Sequence, residues 1–343
     1  METAWDELYA GNSQLTPFQS FKYNFLSWTI FMQNAGNLYI ILVLNNNNYN
    51  YIEAIFPCYL DKDKTLRFIN DRHTDFCSAL VRKEKEYDFL LFEEIASFMM
   101  SDSRIRMIRF DNLEPDNPLM SVLKPFCKTL IVHDFNAYSQ IDIQKRDEDK
   151  GFVDSIRNIN GKKKKNLMTR LRKEHDLELQ ICNKGNEQSF PMDEVQYLSR
   201  VMIEKKERAS SCFSSKMIEY WKKMYESGIL SIAMLYQQKV IKSINFMFYD
   251  NSRNEYIKWI MLYSDKRYNL VINLKLIELF YNNGGARVNF ARGIYDYKME
   301  NFHPQVSNLY RLTISKSVWT SVKALLSINF HYSKMIIKSI VRK

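Results

Sequence analysis

The chain is poor in glycine and proline, with nine and seven in 343 residues, while asparagine, lysine, isoleucine and tyrosine are abundant. This bias fits the codon usage of an AT-rich genome, so the run Asn45 to Asn48 is read as a turn rather than as a functional tract. Five cysteines are scattered without a CxxC spacing, which argues against a disulfide framework and for reduced thiols in the cytoplasm. Five histidines stand far apart without HExxH spacing, and metal catalysis has no support in the sequence. No apolar run of about 18 residues occurs, and the first residues, METAWDELYAGN, are acidic without an apolar core, so neither a spanning helix nor a signal peptide is expected.

Apolar residues make up 46% of the chain and aromatic residues 14%, enough for packed cores and too much for long disordered regions. A length of 343 residues favours two domains of ordinary size. The formal charge of +10 makes polyanionic partners plausible: nucleotide cofactors, tRNA, acidic carriers or anionic lipid surfaces.

The first half opens on an aromatic helical segment, FQSFKYNFLSWTIFMQNAGN, followed by a hairpin made of LYIILVL, the asparagine turn and YNYIEAIFPCYL. Residues 83–100 carry helical spacing, and SRIRMIRFDNL reads as a strand. About 190 residues on, LSIAMLY, QQK and VIKSINFMFYD repeat the hairpin after a helix that again ends in glycine, which reads as a duplicated domain. EYIKWIMLY then reads as a strand, NLVINLKLIELFYNNGG as a helix with Asn269 as candidate N-cap, and ARVNFARG as the next strand. Strand, crossover helix, strand requires a parallel pair. The charged stretch at 144–151 marks the boundary, giving domains over 1–145 and 146–305 and a basic amphipathic C-terminal helix within 306–343.

The order of these elements, with VNFARGIYDYK near the end, NGKKKKNLMTRLRKE upstream, and Trp5, PFQSFKYNFLSW and NDRHTDFCSALV in the first half, resembles the acetyltransferase family of tandem GNAT-like folds. That family includes CelD-like proteins of cellulose and polysaccharide biosynthesis and, more distantly, the FemAB aminoacyl transferases. The resemblance implies an α/β chain of two GNAT-like acyltransferase domains in tandem, each a mixed central sheet flanked by helices. It also implies acyl transfer from a thioester donor, acyl-CoA, to an amine or hydroxyl of a sugar in cell-surface polysaccharide or glycolipid synthesis. The donor's pantetheine arm would lie between two splayed parallel strands, here 256–263 and 287–291, and its pyrophosphate at the following helix N-terminus, at Lys266, Arg267, Tyr268 and Asn269.

Two departures from the family pattern stand out. KRYNLV has no glycine where the phosphate loop is expected, leaving Lys266 and Arg267 either to supply charge or to be solvated cations. Asn289 stands where an acidic residue is expected, and an amide cannot act as a general base. By the resemblance, Tyr297, Lys298 and Arg292 are the candidate catalytic residues, and Asn289, Asp75 and Lys165 the candidate substrate contacts. Each has a plainer alternative: Arg292 in a salt bridge with Asp296 or Asp265, Tyr297 as a buried tyrosine, Asp75 in a surface loop or helix cap. His303 reads as a loop histidine near this motif.

The basic stretch from Asn160 to Asp176 has one narrow stripe of Leu167, Met168 and Leu171 and cations over the opposite half-turn, the pattern of an amphipathic helix. It lacks the interleaved aromatics of a nucleic-acid surface, and its lysines, Lys165 among them, matter only if they face the acceptor. The tail SVWTSVKALLSINFHYSKMIIKSIVRK is a second basic amphipathic element, suited either to docking or to the anionic inner face of a membrane. Two other functions remain open: a FemAB-type aminoacyl transferase using charged tRNA, and a non-catalytic GNAT-like binding module.

Overall fold

The computed structural model describes residues 1–45, 48–127, 129–143, 151–156, 159–183 and 188–316. In chain order, α1 (Glu2–Gly11) and α2 (Phe21–Ser27) precede β1 (Gly36–Asn45), β2 (Asn48–Asp61), β3 (Thr65–Phe68), β4 (Leu80–Val81), α3 (Phe89–Ser101), β5 (Met107–Leu113), α4 (Leu119–Val122) and β6 (Leu130–Asp142). Then follow α5 (Phe152–Ser155), α6 (Gly161–Lys173), β7 (Leu177–Cys182), α7 (Met192–Glu204), α8 (Ser215–Glu226), β8 (Ser231–Gln237), β9 (Val240–Asp250) and β10 (Glu255–Tyr263). The last elements are α9 (Lys266–Asn282), β11 (Arg287–Arg292), α10 (Asp296–Phe302) and β12 (Gln305–Ser315).

The chain folds into two compact units that are not contiguous in sequence. Unit 1 comprises Met1–Asn12, Met32–Phe135 and the chain from Leu309 on; unit 2 comprises Ser13–Phe31 and Asn136–Asn308. In unit 1 the strands run β1, β2, β3, β5, β12, and only β3 and β5 pair in parallel, joined through α3. In unit 2 the order is β8, β9, β10, β11, β6, and only β10 and β11 are parallel, joined through α9; β7 adds an edge beside β8. The same five-strand plan therefore occurs twice, each a mixed sheet flanked by helices, as expected of tandem GNAT-like domains.

The β8–β9 hairpin closes through a tight two-residue turn between strand-prone runs. Gln238 and Lys239 turn β8 into β9 at φ 50° and 65°, the two-residue geometry that matches strand twist. Asn46 and Asn47 of the first hairpin and the tail 317–343 lie outside the described residues, and residues 305–315 ahead of that tail form β12, a strand rather than part of a C-terminal helix. The units do not follow a linear division at 145/146. The aromatic segment after α1 belongs to unit 2, because Phe18 packs edge-on to Phe248 at 4.9 Å and Tyr23 meets Tyr220, whose hydroxyl pairs with Ser27. Burying rings of this size outweighs proximity in sequence.

The core of unit 2 that matters for the site lies between the sheet and α9. Leu270, Leu274, Ile277 and Phe280 pack with Val288, Phe290 and, from α6, Leu167. Thus α6 is held by its apolar stripe, with Met168 and Leu171 half-buried on the same cores. Asn160 caps it, accepting from the Lys163 N–H at 2.9 Å. Lys164, on the apolar side, reaches Asp154 at 3.3 Å.

Candidate active site

The parallel register of β10 and β11 runs Glu255 with Arg287, Tyr256 with Val288 and Ile257 with Asn289, and there it stops. Beyond it, β10 continues to Tyr263 and β11 to Arg292. Each strand bends away at an irregularity in its outer ladder: β10 against β9 between Lys258 and Ile260, β11 against β6 between Asn289 and Arg292. A bulge inserts one residue and re-aims the strand. The result is a wedge between parallel strands, a backbone edge able to pair with an extended ligand as an added strand would.

Helix α9 crosses this wedge. After the exposed Lys266 and Arg267, its residues from Tyr268 to Leu274 are all buried, so this stretch of about two turns faces protein on every side. Two of them, Asn269 and Asn273, are amides that must find partners there. The Asn273 amide donates to the Asn269 backbone carbonyl at 2.6 Å and to its Oδ1 at 3.1 Å, and the Asn245 amide of β9 donates to Asn273 Oδ1 at 3.3 Å. The end of this ladder is Lys258, the first β10 residue past the paired register. Its Nζ lies 3.2 Å from Asn269 Oδ1 and 3.2 Å from the Tyr297 hydroxyl. Lys258 is buried. Burial pushes its amine well below the ordinary lysine value, and the nearby cations Lys298 and Arg208 push the same way. Burial likewise pushes the Tyr297 hydroxyl up, against smaller opposing effects of the Asn269 side chain and Arg208.

The exit of β11 is built differently from its sequence reading. Asn289 is 1% exposed and its Oδ1 accepts from the Ala291 N–H at 2.8 Å, fixing Ala291 in the left-handed region at φ 56°. A non-glycine residue there carries strain that its surroundings must offset. Replacing Asn289 with Ala should therefore cost about 1–3 kcal/mol in chemical denaturation, the cost of a buried N–H left without its acceptor; a loss below about 0.5 kcal/mol would show that the bond does not hold the bulge. Lys298 is also buried, and its ammonium donates to the Phe290 carbonyl at 2.7 Å, the Gly293 carbonyl at 2.8 Å and the Ala291 carbonyl at 3.4 Å. It is a clamp on the strand exit. Short helix α10 thus turns Tyr297 toward Lys258 and Lys298 into the backbone of β11.

At the N-terminus of α9, Asp265 is the cap, and its carboxylate accepts from the Arg267 N–H at 2.9 Å; Asn269 is not the N-cap but sits in the first turn. The helix starts earlier than its apolar periodicity indicates because a cap, not an apolar residue, sets the first turn. Lys266 is exposed and pairs with Glu207 at 3.0 Å, and Arg267 donates to the Tyr268 hydroxyl at 2.6 Å. From the segment after α7, Lys205 donates to the Ser264 carbonyl at 2.5 Å, and exposed Arg208 acts electrostatically on Lys258, Tyr263 and Tyr297. The N-terminus of α9 thus carries cations together with the carboxylates of Asp265 and Glu207.

Of the residues singled out from sequence, Tyr297, Lys298, Asn289, Arg292 and Asn269 come together around the end of β11 and the first turn of α9, with Lys266, Arg267 and Tyr268 beside them. Arg292 ends β11, in register with Tyr138. Lys165 stands exposed on α6, on the side away from Leu167. His303 closes α10 in the left-handed conformation at φ 45°. Asp75 lies in unit 1, buried in the loop after β3 rather than lining a surface; the neighbouring Asn112 amide holds that loop by donating to the Asp71 and Thr74 carbonyls. Lys258 and Arg208 were not found by sequence reasoning. The available signal for Lys258 was a lone cation inside the apolar run EYIKWIMLY.

No protein-family model matches the chain, and no curated protein matches it in sequence. Solved structures do match. FemX superposes with a TM-score of 0.62 at 9% identity, over 92% of this chain and 96% of that one. L-PGS from Bacillus licheniformis gives 0.56 at 13% identity, over 90% and 96%. The C-terminal domain of a protein assigned as a lysylphosphatidylglycerol synthetase from Agrobacterium fabrum gives 0.55 at 14%, over 89% and 95%. At these identities the likeness is one of fold, extending over nearly the whole length of both chains.

Proposed function

We propose that this protein is an acyltransferase whose unit 2 moves an acyl group from an activated ester or thioester to an amine or hydroxyl of a sugar or lipid in envelope synthesis. The observation that carries this reading is the wedge between β10 and β11, with its parallel register ending at Ile257 and Asn289 and polar side chains gathered where it opens. An acyl-carrying arm laid along β10 would bring its carbonyl to Lys258, Asn269 and Tyr297.

The donor is open to two readings. An acyl-CoA would bring its pyrophosphate to the N-terminus of α9, where the Asp265 carboxylate already accepts from Arg267 and would repel it. An aminoacyl ester on tRNA has no pyrophosphate to seat there. Its phosphates would meet side-chain cations instead: Arg208, Lys266 and the basic face of α6, which packs on α9. The Asp265 cap thus favours the aminoacyl donor, and the lysylphosphatidylglycerol synthetase among the structural neighbours is named for an aminoacylated lipid. Among the described residues no helix is long and apolar enough to cross a membrane; a lipid acceptor would be approached peripherally, through the basic tail beyond residue 316.

The test is a comparison of donors: acetyl-CoA, lysyl-tRNA and alanyl-tRNA, each with glucosamine or phosphatidylglycerol vesicles as acceptor. Retention of charged tRNA at moderate salt and transfer of its aminoacyl group, with no heat of binding for acetyl-CoA, is the expected result. Acetyl-CoA binding and acetylated glucosamine would instead establish the CoA reading, and no turnover of any donor would leave a binding module. Under either donor, Arg208→Ala should raise the donor KM about tenfold, the loss of one charge-assisted contact worth about 1.4 kcal/mol, with little change in kcat.

A further inference from the structure

The proposed reaction needs a base, and Asn289 cannot supply one. Resting on that reading, we propose that Lys258 is the proton store of the site: it acts through Tyr297, taking up the proton that the attacking amine or hydroxyl gives to the tyrosine and returning it to the departing group.

The hydrogen-bond geometry is the first support. Lys258 Nζ stands between two polar partners, 3.2 Å from the Asn269 Oδ1 and 3.2 Å from the Tyr297 hydroxyl. An uncharged amine has two N–H groups and one lone pair, while an ammonium has three N–H groups and no acceptor. With the amine uncharged, Lys258 donates to Asn269 Oδ1 and its lone pair accepts from the Tyr297 hydroxyl. With an ammonium, Lys258 must donate to the tyrosine oxygen, and the hydroxyl hydrogen is turned outward. The protonation of Lys258 therefore sets which way Tyr297 offers its proton.

The surroundings supply the second support. From α10, Tyr297 faces this amine, with Tyr295 alongside in a stack at 6.2 Å, while Lys298, turned to the backbone, acts on it through space; from the segment after α7, Arg208 acts on it; from its own strand, Tyr256 lines the same small cavity. β9 and α9 contribute amides, Asn245, Asn269 and Asn273. The charged groups acting on Lys258 are both cations, Lys298 and Arg208. Like charge and burial both favour the amine over the ammonium. Placing it one residue beyond the paired register puts it at the opening of the wedge, where a neutral lysine has a use that a surface lysine does not.

The proton balance closes. As the acceptor's N–H or O–H attacks the donor carbonyl, its hydrogen moves to the Tyr297 oxygen and the Tyr297 hydrogen moves to Lys258, leaving an ammonium. As the tetrahedral intermediate collapses, the new C–N or C–O bond remains, the bond to the leaving thiolate or ribose oxygen breaks, and the proton returns through Tyr297 to that atom. Nothing is oxidised or reduced.

Two measurements on the full-length protein test this. The first follows lysine side chains labelled with 13C at the ε position through a pH titration, the Lys258 signal being the one missing from Lys258→Met; the second is the pH profile of kcat/KM with the donor and acceptor pair that the wild type turns over. Lys258 should titrate well below the ordinary lysine value of about 10.4, and activity should fall on the acid side with that same midpoint. Lys258→Met and Tyr297→Phe should each lower kcat by about 10²- to 10³-fold and abolish the acid limb, and the double variant should be no worse than either single one. A Lys258 that titrates in the ordinary range, or an active enzyme whose acid limb survives Lys258→Met, overturns the relay. A protein in which Lys258 titrates low but no donor is turned over instead removes the transferase reading on which the relay depends.

Discussion

Lys298→Met should destabilise unit 2 by about 3–5 kcal/mol, read as a shift of the urea midpoint. The side chain is 2% exposed, and its three N–H groups are directed at the carbonyls of Phe290, Ala291 and Gly293. Methionine fills a similar volume but donates nothing, so buried carbonyls lose their donor at about 1–3 kcal/mol each, less than additively. Gly293, at φ 96°, cannot be held by a side chain of its own, and a Cβ there would meet the Tyr295 ring at 2.6 Å. The turn that presents Arg292 and Tyr297 is thus tied to three carbonyls by this ammonium, beside the Gly293 N–H bond to the Ala137 carbonyl at 2.8 Å. Loss of activity in a Lys298 variant would accordingly report the shape of the site, not a catalytic proton. A destabilisation below about 1 kcal/mol with the fold intact would free Lys298 for direct chemistry and remove the clamp.

That contrast marks how far the sequence could be read. The Tyr297-Lys298 pair was visible as a pair, but nothing in it says that one side chain turns to the wedge and the other to the backbone; that depends on where α10 starts relative to β11. The strands were legible because hairpin turns and apolar runs are local signals, and the duplication because two local patterns recur in order. Asn269 was misplaced as an N-cap because Lys266, Arg267 and Tyr268 look like a polar strand exit, whereas Asp265 caps the helix and Tyr268 is buried. Lys258 was missed for a related reason. In a strand with one face in water it would point outward, but here that face is covered by α9, whose Asn269 meets it. Placement of Phe18 and Tyr23 in unit 2 is a long-range packing choice with no local trace. The basic stretch of α6 was legible in its stripe packed on the core and in its cations, which face outward except Lys164, bound to Asp154.

Asp111→Asn in unit 1 should cost about 3–5 kcal/mol at neutral pH, because the carboxylate is the centre of a buried ion cluster and its removal strands cations. Arg311 grips Asp111 at 2.5 and 2.8 Å, Arg109 at 3.1 and 2.9 Å, and Arg67 stands 3.5 Å away while pairing with Asp71 at 2.6 Å. Burial alone would push the Asp111 carboxyl up, but the hydrogen bonds from Arg311 and Arg109 outweigh it and hold it at about 2. A carboxyl whose folded value lies below its unfolded value of about 3.9 stabilises the fold above that pH and loses the contribution as pH falls toward 2, here about 2–3 kcal/mol in all. Asp71 works in the opposite sense: burial pushes it up more than Arg67 pulls it down, so it takes its proton first and does not add to the acid loss. Urea midpoints of wild type and Asp111→Asn should therefore differ most near pH 7, and the gap should narrow by about 2 kcal/mol between pH 5 and pH 2.5. A gap that stays constant across that range would mean that Asp111 is not held ionised by its arginines. The result bears on function as well, since a carboxylate committed to three guanidiniums is spent on holding unit 1 together and is not available as the acid or base that the transfer reaction requires.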